Sequence, residues 1–276
     1  MTKLFLKRGK TLKIDPKNYK RVVVKVGTST LTHGSGFINI RKIDRLVSCL
    51  ADLHNSGKEI ILVSSGAVSC GLARVGFARE TLTPRQKQAA AAVGQCQLID
   101  MYARRFADFG CTIAQLLLTR NVVDEPELRA NAGGTLELLL EQRVIPVVNE
   151  NDTISNEQIR IGSNDTLAAA VAVLSHADIL INMSDVDGLY SADPRKDSEA
   201  RVIERVPEID ESVLAFANGA GTERGTGGMV AKLESAMVST RAGIPMVIIN
   251  GSDPEILYKV FDGEFRGTLF EAGKGE

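Results

Sequence analysis

Short unbroken runs of apolar residues recur along the chain, separated by longer stretches in which apolar residues return at helical spacing. Runs of this kind, rich in valine, isoleucine and leucine, are typical of strands that are buried on both faces of a parallel sheet. They predict strands at 21–26, 58–63, 112–118, 144–148, 178–183, 245–250 and 267–270. The segment 195–210 is charged, contains the β-like sequence VIERV, and is expected to face solvent.

The stretches between the apolar runs predict helices, because their apolar residues recur at every third or fourth position. The predicted helices cover 38–56, 84–109, 121–141, an alanine-rich segment ending at 175, a segment ending at 241, and 254–261. Pro126 and the pair Gly133 and Gly134 are expected to interrupt the third of these. The alternation predicts an α/β fold, a three-layer sandwich in which helices cover both faces of a mostly parallel central sheet.

Polar residues cluster directly after several of the predicted strands. The clusters are 25–30, 64–66, 149–152 and 184–187, and a further one, 162–165, opens the alanine-rich helix. Ligands of open α/β sheets bind outside the carboxyl ends of the strands, so these clusters are expected to share one site. Asn and Asp also form turns, and Ser163 or Asn164 could simply cap a helix. The repetition of such clusters favours a polar site.

Two lysines occupy unusual positions. Lys25 lies inside a buried strand, where an ammonium group must either extend to solvent or meet an anion. Lys232 lies in a helix that follows the glycine-rich stretch 219–228. Loop N–H groups and a helix N-terminus together can bind phosphate, although a flexible linker is the alternative interpretation. The loop matches neither GxxxxGK[ST] nor GxGxxG. Two lysines, a glycine-rich loop and nearby carboxylates are suited to phosphoryl transfer from a nucleotide.

Charge and composition narrow the class of partner. Lys plus Arg is 33 and Asp plus Glu is 34, so the net charge of −1 gives no sign of a nucleic-acid-binding surface. The N-terminus lacks the apolar core of a signal peptide, and no apolar run is long enough to span a membrane. The four cysteines lie apart, without metal-binding spacing. We therefore expect a cytoplasmic protein that acts on small molecules, with residues 1–20 as an extension.

Six motifs follow one another along the chain: VVVKVGTSTL (22–31), VSSGAV (63–68), VNENDT (148–153), GSNDTLAA (162–169), SDVDGLY (184–190) and GTGGMVAK (225–232). Their order and spacing resemble those of the glutamate 5-kinases of the amino acid kinase family. The resemblance covers roughly residues 20–271. It implies one amino acid kinase domain over 1–276 without a C-terminal PUA domain. It also implies ATP-dependent phosphorylation of the γ-carboxylate of L-glutamate to L-glutamyl 5-phosphate, the first step of proline biosynthesis.

The resemblance further implies roles for individual residues. Lys25 and Lys232 would contact the ATP phosphates, and Asp165 would hold both lysines in place. L-Glutamate would be bound by Ser65, Gly66, Asn149, Asp152 and Asn164, with Asp152 suited to its α-ammonium group. The nucleotide would lie against Ser184, Asp185, Thr226, Gly227, Gly228 and Met229. Mg²⁺ would be held chiefly by the ATP phosphates, so no protein metal ligand is expected.

The implied chemistry needs no general base, because the γ-carboxylate of glutamate is already ionised at neutral pH. The histidines His33, His54 and His176 are therefore expected to be structural or exposed. Ser163 and Ala231 stand where many relatives carry Asp and Thr, which removes a charge and a hydroxyl. By analogy, we expect a homodimer or homotetramer and possible feedback inhibition by L-proline.

Other members of the family are the nearest alternatives. An aspartate kinase would begin with KFGGTS, whereas this chain has KVGTST. An N-acetylglutamate kinase would offer Asp152 no free ammonium group, and a uridylate kinase should carry more basic residues. A non-catalytic nucleotide or amino acid sensor would be expected to lack one of the two lysines or Asp165, and all three are present.

Overall fold

The predicted apolar runs form one sheet. The computed structural model describes residues 19–33, 35, 37–155, 161–219 and 228–273. The strands are β1 (Arg21–Val26), β2 (Glu59–Ser64), β3 (Ile113–Leu118), β4 (Ile145–Glu150), β5 (Ile179–Ser184), β6 (Arg205–Val206), β7 (Met246–Asn250) and β8 (Gly267–Phe270). Their order is β3-β4-β2-β1-β5-β7-β8-β6, and every pairing is parallel except β7 with β8. The predicted mostly parallel sheet is confirmed.

Helices cover both faces of the sheet. They are α1 (Thr28–Leu31), α2 (Ile40–Asn55), α3 (Ala67–Val75), α4 (Pro84–Ala107), α5 (Asn121–Asp124), α6 (Pro126–Glu141), α7 (Asn164–Leu174), α8 (Glu211–Gly219), α9 (Met229–Arg241) and α10 (Ile256–Phe261). Alternate residues of each strand point to opposite layers. Val22 and Val24 pack with α2, α4 and α10, whereas Val23 packs with α6, α7 and α9. The predicted three-layer sandwich is confirmed.

Two helices cross at very short range. A Cβ atom at Gly71 of α3 would lie 1.8 Å from the carbonyl oxygen of Ala90 in α4. A Cβ atom at Gly94 of α4 would lie equally close, 1.8 Å, to the carbonyl oxygen of Ala67. Only glycine permits this approach, which fixes the start of α3 against α4.

Two expectations about local structure are wrong. The helix predicted over 121–141 breaks before Pro126, as expected, but α6 continues through Gly133 and Gly134. Glycine costs only ~1 kcal/mol inside a helix, and burial of the apolar face of α6 offsets that cost. The segment 195–210 is not wholly solvent-facing either, since Ile203 and Val206 are buried. Helix α8 was not anticipated.

Among the residues that the structure describes, no helix is both long and apolar enough to cross a membrane.

Candidate active site

The predicted polar clusters meet at one edge of the sheet. Strands β4, β2, β1 and β5 are neighbours in that order, and all run parallel. Their carboxyl ends therefore lie side by side. This brings Asn149, Ser65, Lys25 and Ser184 to the same edge, where the N-terminus of α7 adds Asn164 and Asp165.

A buried ionic cluster forms on the face of the sheet that α7 and α9 cover. The Lys25 ammonium group donates to Asp165 Oδ1 at 2.7 Å, and the Lys232 Nζ atom lies 3.6 Å from Asp165 Oδ2. Lys25 is 5%, Lys232 6% and Asp165 1% exposed. The amide of Asn182, which pairs with Lys25 in register across β1 and β5, donates to Asp165 Oδ1 at 2.6 Å. Lys25 thus meets an anion and does not extend to solvent.

The electrostatics of this cluster follow from its burial. Burial lowers the pKa of Lys25 below its ordinary value; attraction to Asp165 opposes this effect, and repulsion from Lys232 adds to it. Burial alone would raise the pKa of Asp165. The attraction of both lysines and the hydrogen bonds from Lys25 and Asn182 outweigh it, so the Asp165 pKa lies below its usual range. Asp165 is therefore ionised at neutral pH.

A network of neutral hydrogen bonds lies beside the ionic cluster. The side-chain amide nitrogen of Asn164 contacts three acceptors. They are the Ser65 hydroxyl at 2.7 Å, the side-chain oxygen Oδ1 of Asn149 at 3.0 Å and the backbone carbonyl of Ser64 at 3.1 Å. Asn149 in turn donates to Gln95 of α4 at 2.9 Å. Side chains from α7, β4 and α4 and from the turn after β2 thus hold one another in place.

This network borders a cavity of about 230 Å³. Its lining residues are Thr28, Ser65, Gly66, Ala67, Val68, Ser69, Asn149, Glu150, Asp152, Gly162, Ser163 and Asn164. Two carboxylates, Glu150 and Asp152, are the charged groups among them. The Ser155 hydroxyl donates to Glu150 at 2.7 Å, and Gln88 of α4 donates to the Ser155 backbone carbonyl at 3.1 Å, which ties the loop after β4 to α4.

Helix N-termini also meet at this edge. Gly66 precedes α3 with a φ of 108°, a conformation that side chains disfavour, and no side chain caps that helix. Ser163 caps α7 by accepting from the Thr166 N–H. Gly228 is the N-cap of α9 without a side-chain cap, and Met229 begins the helix. Both uncapped ends leave N–H groups that can donate hydrogen bonds to an anion.

The structure places most of the predicted site residues at this edge. Lys25, Lys232 and Asp165 are in contact, and Ser65, Gly66, Asn149, Asp152 and Asn164 line one cavity. Ser184 is buried at the end of β5 and donates to the exposed Asp185 beside it. Thr226 and Gly227 lie outside the described residues.

Two residues of this site, Asn182 and Gln95, were not anticipated, and Glu150 lay in the predicted cluster 149–152 without a role of its own. Asn182 is an amide inside an otherwise apolar strand, a signal that the sequence contains. Glu150 is buried and lines the cavity, and it lies in the motif that supplied Asn149 and Asp152. Gln95 lies on a polar-rich helix, where nothing in the sequence separates it from exposed glutamines.

The charges present suit an anionic phosphate ligand. When both lysines are protonated, two ammonium groups lie beside Asp165, an arrangement that can also bind the oxygens of a phosphate. Among the described residues, no group of three or more His, Cys, Asp or Glu side chains could hold a metal ion.

Comparison with known proteins identifies the class. Residues 20–250 match the model of the amino acid kinase family. An isopentenyl phosphate kinase aligns over 91% of this chain and 99% of its own, with a TM-score of 0.64 and 18% identity. A carbamate kinase from Giardia lamblia aligns over 92% and 99%, with a TM-score of 0.65 and 15% identity. The chain belongs to the amino acid kinase family.

Relatives at much higher identity narrow the group. A glutamate 5-kinase of Clostridium perfringens is 46% identical over 264 residues, covering 94% of this chain and 98% of that protein. A glutamate 5-kinase of Clostridium tetani is 47% identical over 258 residues, covering 94% and 97%. The resemblance to glutamate 5-kinases, drawn from six motifs, is confirmed.

Proposed function

We propose that this protein is a glutamate 5-kinase that transfers the terminal phosphoryl group of ATP to the γ-carboxylate of L-glutamate. A carboxylate oxygen forms a bond to phosphorus while the bond from that phosphorus to the bridging oxygen breaks, so the products are L-glutamyl 5-phosphate and ADP. The observation that carries the proposal is the pair Asn164 and Asp165. These consecutive residues of α7 serve the two halves of the site, since Asn164 borders the polar cavity and Asp165 binds the two buried lysines.

The phosphate half works by charge. Lys25 and Lys232 would hold the phosphates and neutralise the negative charge on the phosphoryl group during transfer. Asp165 would keep both ammonium groups in place, and Asn182 would orient Asp165 through its 2.6 Å hydrogen bond. Because these groups are buried, they are positioned before the substrates arrive, and little reorganisation is needed during the reaction.

The acceptor half works by shape and hydrogen bonding. Asp152, with Glu150 nearby, would attract the α-ammonium group of glutamate. Ser65, Asn149 and Asn164, held by their mutual hydrogen bonds, would direct the γ-carboxylate toward the lysines. The uncapped N–H groups after Gly66 would donate hydrogen bonds to a carboxylate.

Residues at the end of β5 and the start of α9 would hold the nucleotide. Ser184 and Asp185 would lie beside it, and Gly228 and Met229, with Thr226 and Gly227 before them, would approach its phosphates. Mg²⁺, bound to the phosphates, would supply further charge neutralisation. A cytoplasmic location, a homodimer or homotetramer, inhibition by L-proline and a single kinase domain stay predictions.

A substrate panel tests this function. The purified protein is assayed for Mg²⁺-dependent ATP turnover with L-glutamate, N-acetyl-L-glutamate, L-aspartate and UMP, and hydroxylamine traps any acyl phosphate as a hydroxamate. We expect strong hydroxamate formation with L-glutamate alone, lost in Lys232→Ala and Asp152→Ala. Preference for N-acetyl-L-glutamate would contradict the role of Asp152. Absence of turnover with every substrate would favour a non-catalytic sensor.

A further inference from the structure

The substrate proposed above brings two carboxylates to a site whose acceptor cavity itself carries carboxylates. Glu150 and Asp152 line it, and no lysine, arginine or histidine is among the described residues of its wall. L-Glutamate brings two carboxylates and one ammonium group. If the γ-carboxylate faces Lys25 and Lys232 and the ammonium group faces Asp152, the α-carboxylate still has to be accommodated near two like charges. A hydrogen-bond donor that assists the N–H groups at the start of α3 would therefore favour this carboxylate at the cavity wall.

Arg79 is a cation that reaches this wall. It lies in a short 3-10 turn after α3, and its guanidinium group donates to the Ser69 hydroxyl at 2.9 Å. Ser69 lies on the first turn of α3, is 7% exposed, and lines the cavity. One hydroxyl group thus separates an exposed guanidinium group from the substrate cavity.

The direction of this hydrogen bond determines what Ser69 can do. Its oxygen accepts from Arg79, and among the described residues no acceptor for its own proton is found. The hydroxyl proton can therefore be donated into the cavity. A hydroxyl that accepts from a cation is a stronger donor, because the two hydrogen bonds polarise each other.

We propose that Ser69 binds the α-carboxylate of the amino acid substrate and that Arg79 is a positioning residue that acts through Ser69. This inference rests on the proposed function. It makes the pair a determinant of specificity for an amino acid with a free α-carboxylate, because an uncharged group at that position would gain less from a polarised donor.

The test compares L-glutamate with L-isoglutamine, which keeps the γ-carboxylate and the α-ammonium group but carries an amide in place of the α-carboxylate. Ser69→Ala should raise KM for L-glutamate about tenfold, which corresponds to the loss of ~1.4 kcal/mol of binding free energy. Arg79→Gln should raise it by a smaller factor, about threefold, because the guanidinium group is exposed and acts indirectly. In both variants kcat and KM for ATP should stay close to wild type, and the preference for L-glutamate over L-isoglutamine should fall.

Two controls sharpen the test. Arg74→Gln removes an exposed arginine from α3 itself and should change neither KM nor the preference. The double variant Ser69→Ala with Arg79→Gln should be no worse than Ser69→Ala alone, because Arg79 acts through the hydroxyl. Arg79→Lys keeps the charge and should recover part of the loss.

Several outcomes would overturn the inference. An unchanged preference for L-glutamate over L-isoglutamine in either variant would exclude recognition of the α-carboxylate. An equal effect of Arg79→Gln with and without Ser69 would exclude action through the hydroxyl. If the wild-type protein forms no hydroxamate with L-glutamate, the proposed function itself fails. If the wild-type protein turns over L-glutamate normally and the variants behave like it, only the inference about Ser69 and Arg79 fails.

Discussion

The two halves of the site are held together by different interactions, buried ion pairs in the phosphate half and neutral hydrogen bonds in the acceptor half. The phosphate half buries two lysines and one carboxylate at 5%, 6% and 1% exposure, and its geometry depends on opposite charges in direct contact. The acceptor half is built from neutral amides and hydroxyls that bond to one another and leaves its two carboxylates at the cavity wall. Breaking a buried ion pair leaves an uncompensated charge, whereas losing one amide contact costs a single hydrogen bond. The phosphate half should therefore govern turnover and stability together, and the acceptor half should govern affinity.

Removing the charge of Asp165 should have the largest effect. Asp165→Asn leaves two buried ammonium groups without their counter-charge, so the free energy of unfolding should fall by about 3–5 kcal/mol and kcat by at least about 10²-fold. Urea unfolding and steady-state kinetics measure the two effects. Asp100→Asn, which breaks an exposed pair with Arg104, is the matched control and should be nearly silent. A stable, active Asp165→Asn protein would remove the distinction between the two halves.

Truncating Asn164 should affect the acceptor half selectively. Asn164→Ala removes the amide that joins Ser65, Asn149 and the end of β2, so KM for L-glutamate should rise about tenfold or more. KM for ATP and the free energy of unfolding should change little in comparison with Asp165→Asn. Asn131→Ala, at an exposed position of α6, is the control. An equal rise in both KM values would mean that the halves are not separable.

The protonation of Lys25 should set a pH limit on the phosphate half alone. The pKa of Lys25 lies below the ordinary lysine value of 10.5 because the group is buried. As pH rises through that lowered pKa, the ammonium group is lost and phosphate binding weakens, so kcat/KM for ATP should fall at a lower pH than an ordinary lysine would allow. Lys25→Arg, which stays protonated, should be less active but should lack this alkaline decline. A decline at the same pH in both proteins would assign it to another group.

At acid pH the relevant change is the protonation of Asp165, which weakens the same cluster as pH falls. The pKa of Asp165 in the folded protein lies below its usual 3.8. Its ionic contacts therefore stabilise the fold fully at pH values above the pKa of the unfolded state, and this stabilisation is lost as the pH falls through the pKa of the folded state. The acid loss of stability assigned to Asp165 should therefore be absent in Asp165→Asn.

The fold was predictable from sequence because local pattern and global structure agree. Each predicted strand lies within one or two residues of an observed one, because a continuous apolar run is typical of a strand that is covered on both faces. The pair Gly133 and Gly134 misled the prediction because tertiary packing of Ala132, Leu136 and Leu140 outweighs local propensity. Strand β6 lies within the β-like sequence VIERV but has only two residues, and helix α8 was not predicted.

The site was predictable in its residue types and its edge of the sheet, and less so in its contacts. The sequence by itself determined that polar groups follow β1, β2, β4 and β5, because strand period and turn chemistry are local properties. It left open whether Lys25 extends to solvent or meets an anion. That choice depends on Asp165, which is 140 residues away and reaches Lys25 only after α7 packs on the sheet. The roles of Asn182, Gln95 and Arg79 are likewise contacts between distant segments. Only the tertiary structure decides them, because partners for buried or cavity-lining polar groups are chosen by proximity in space.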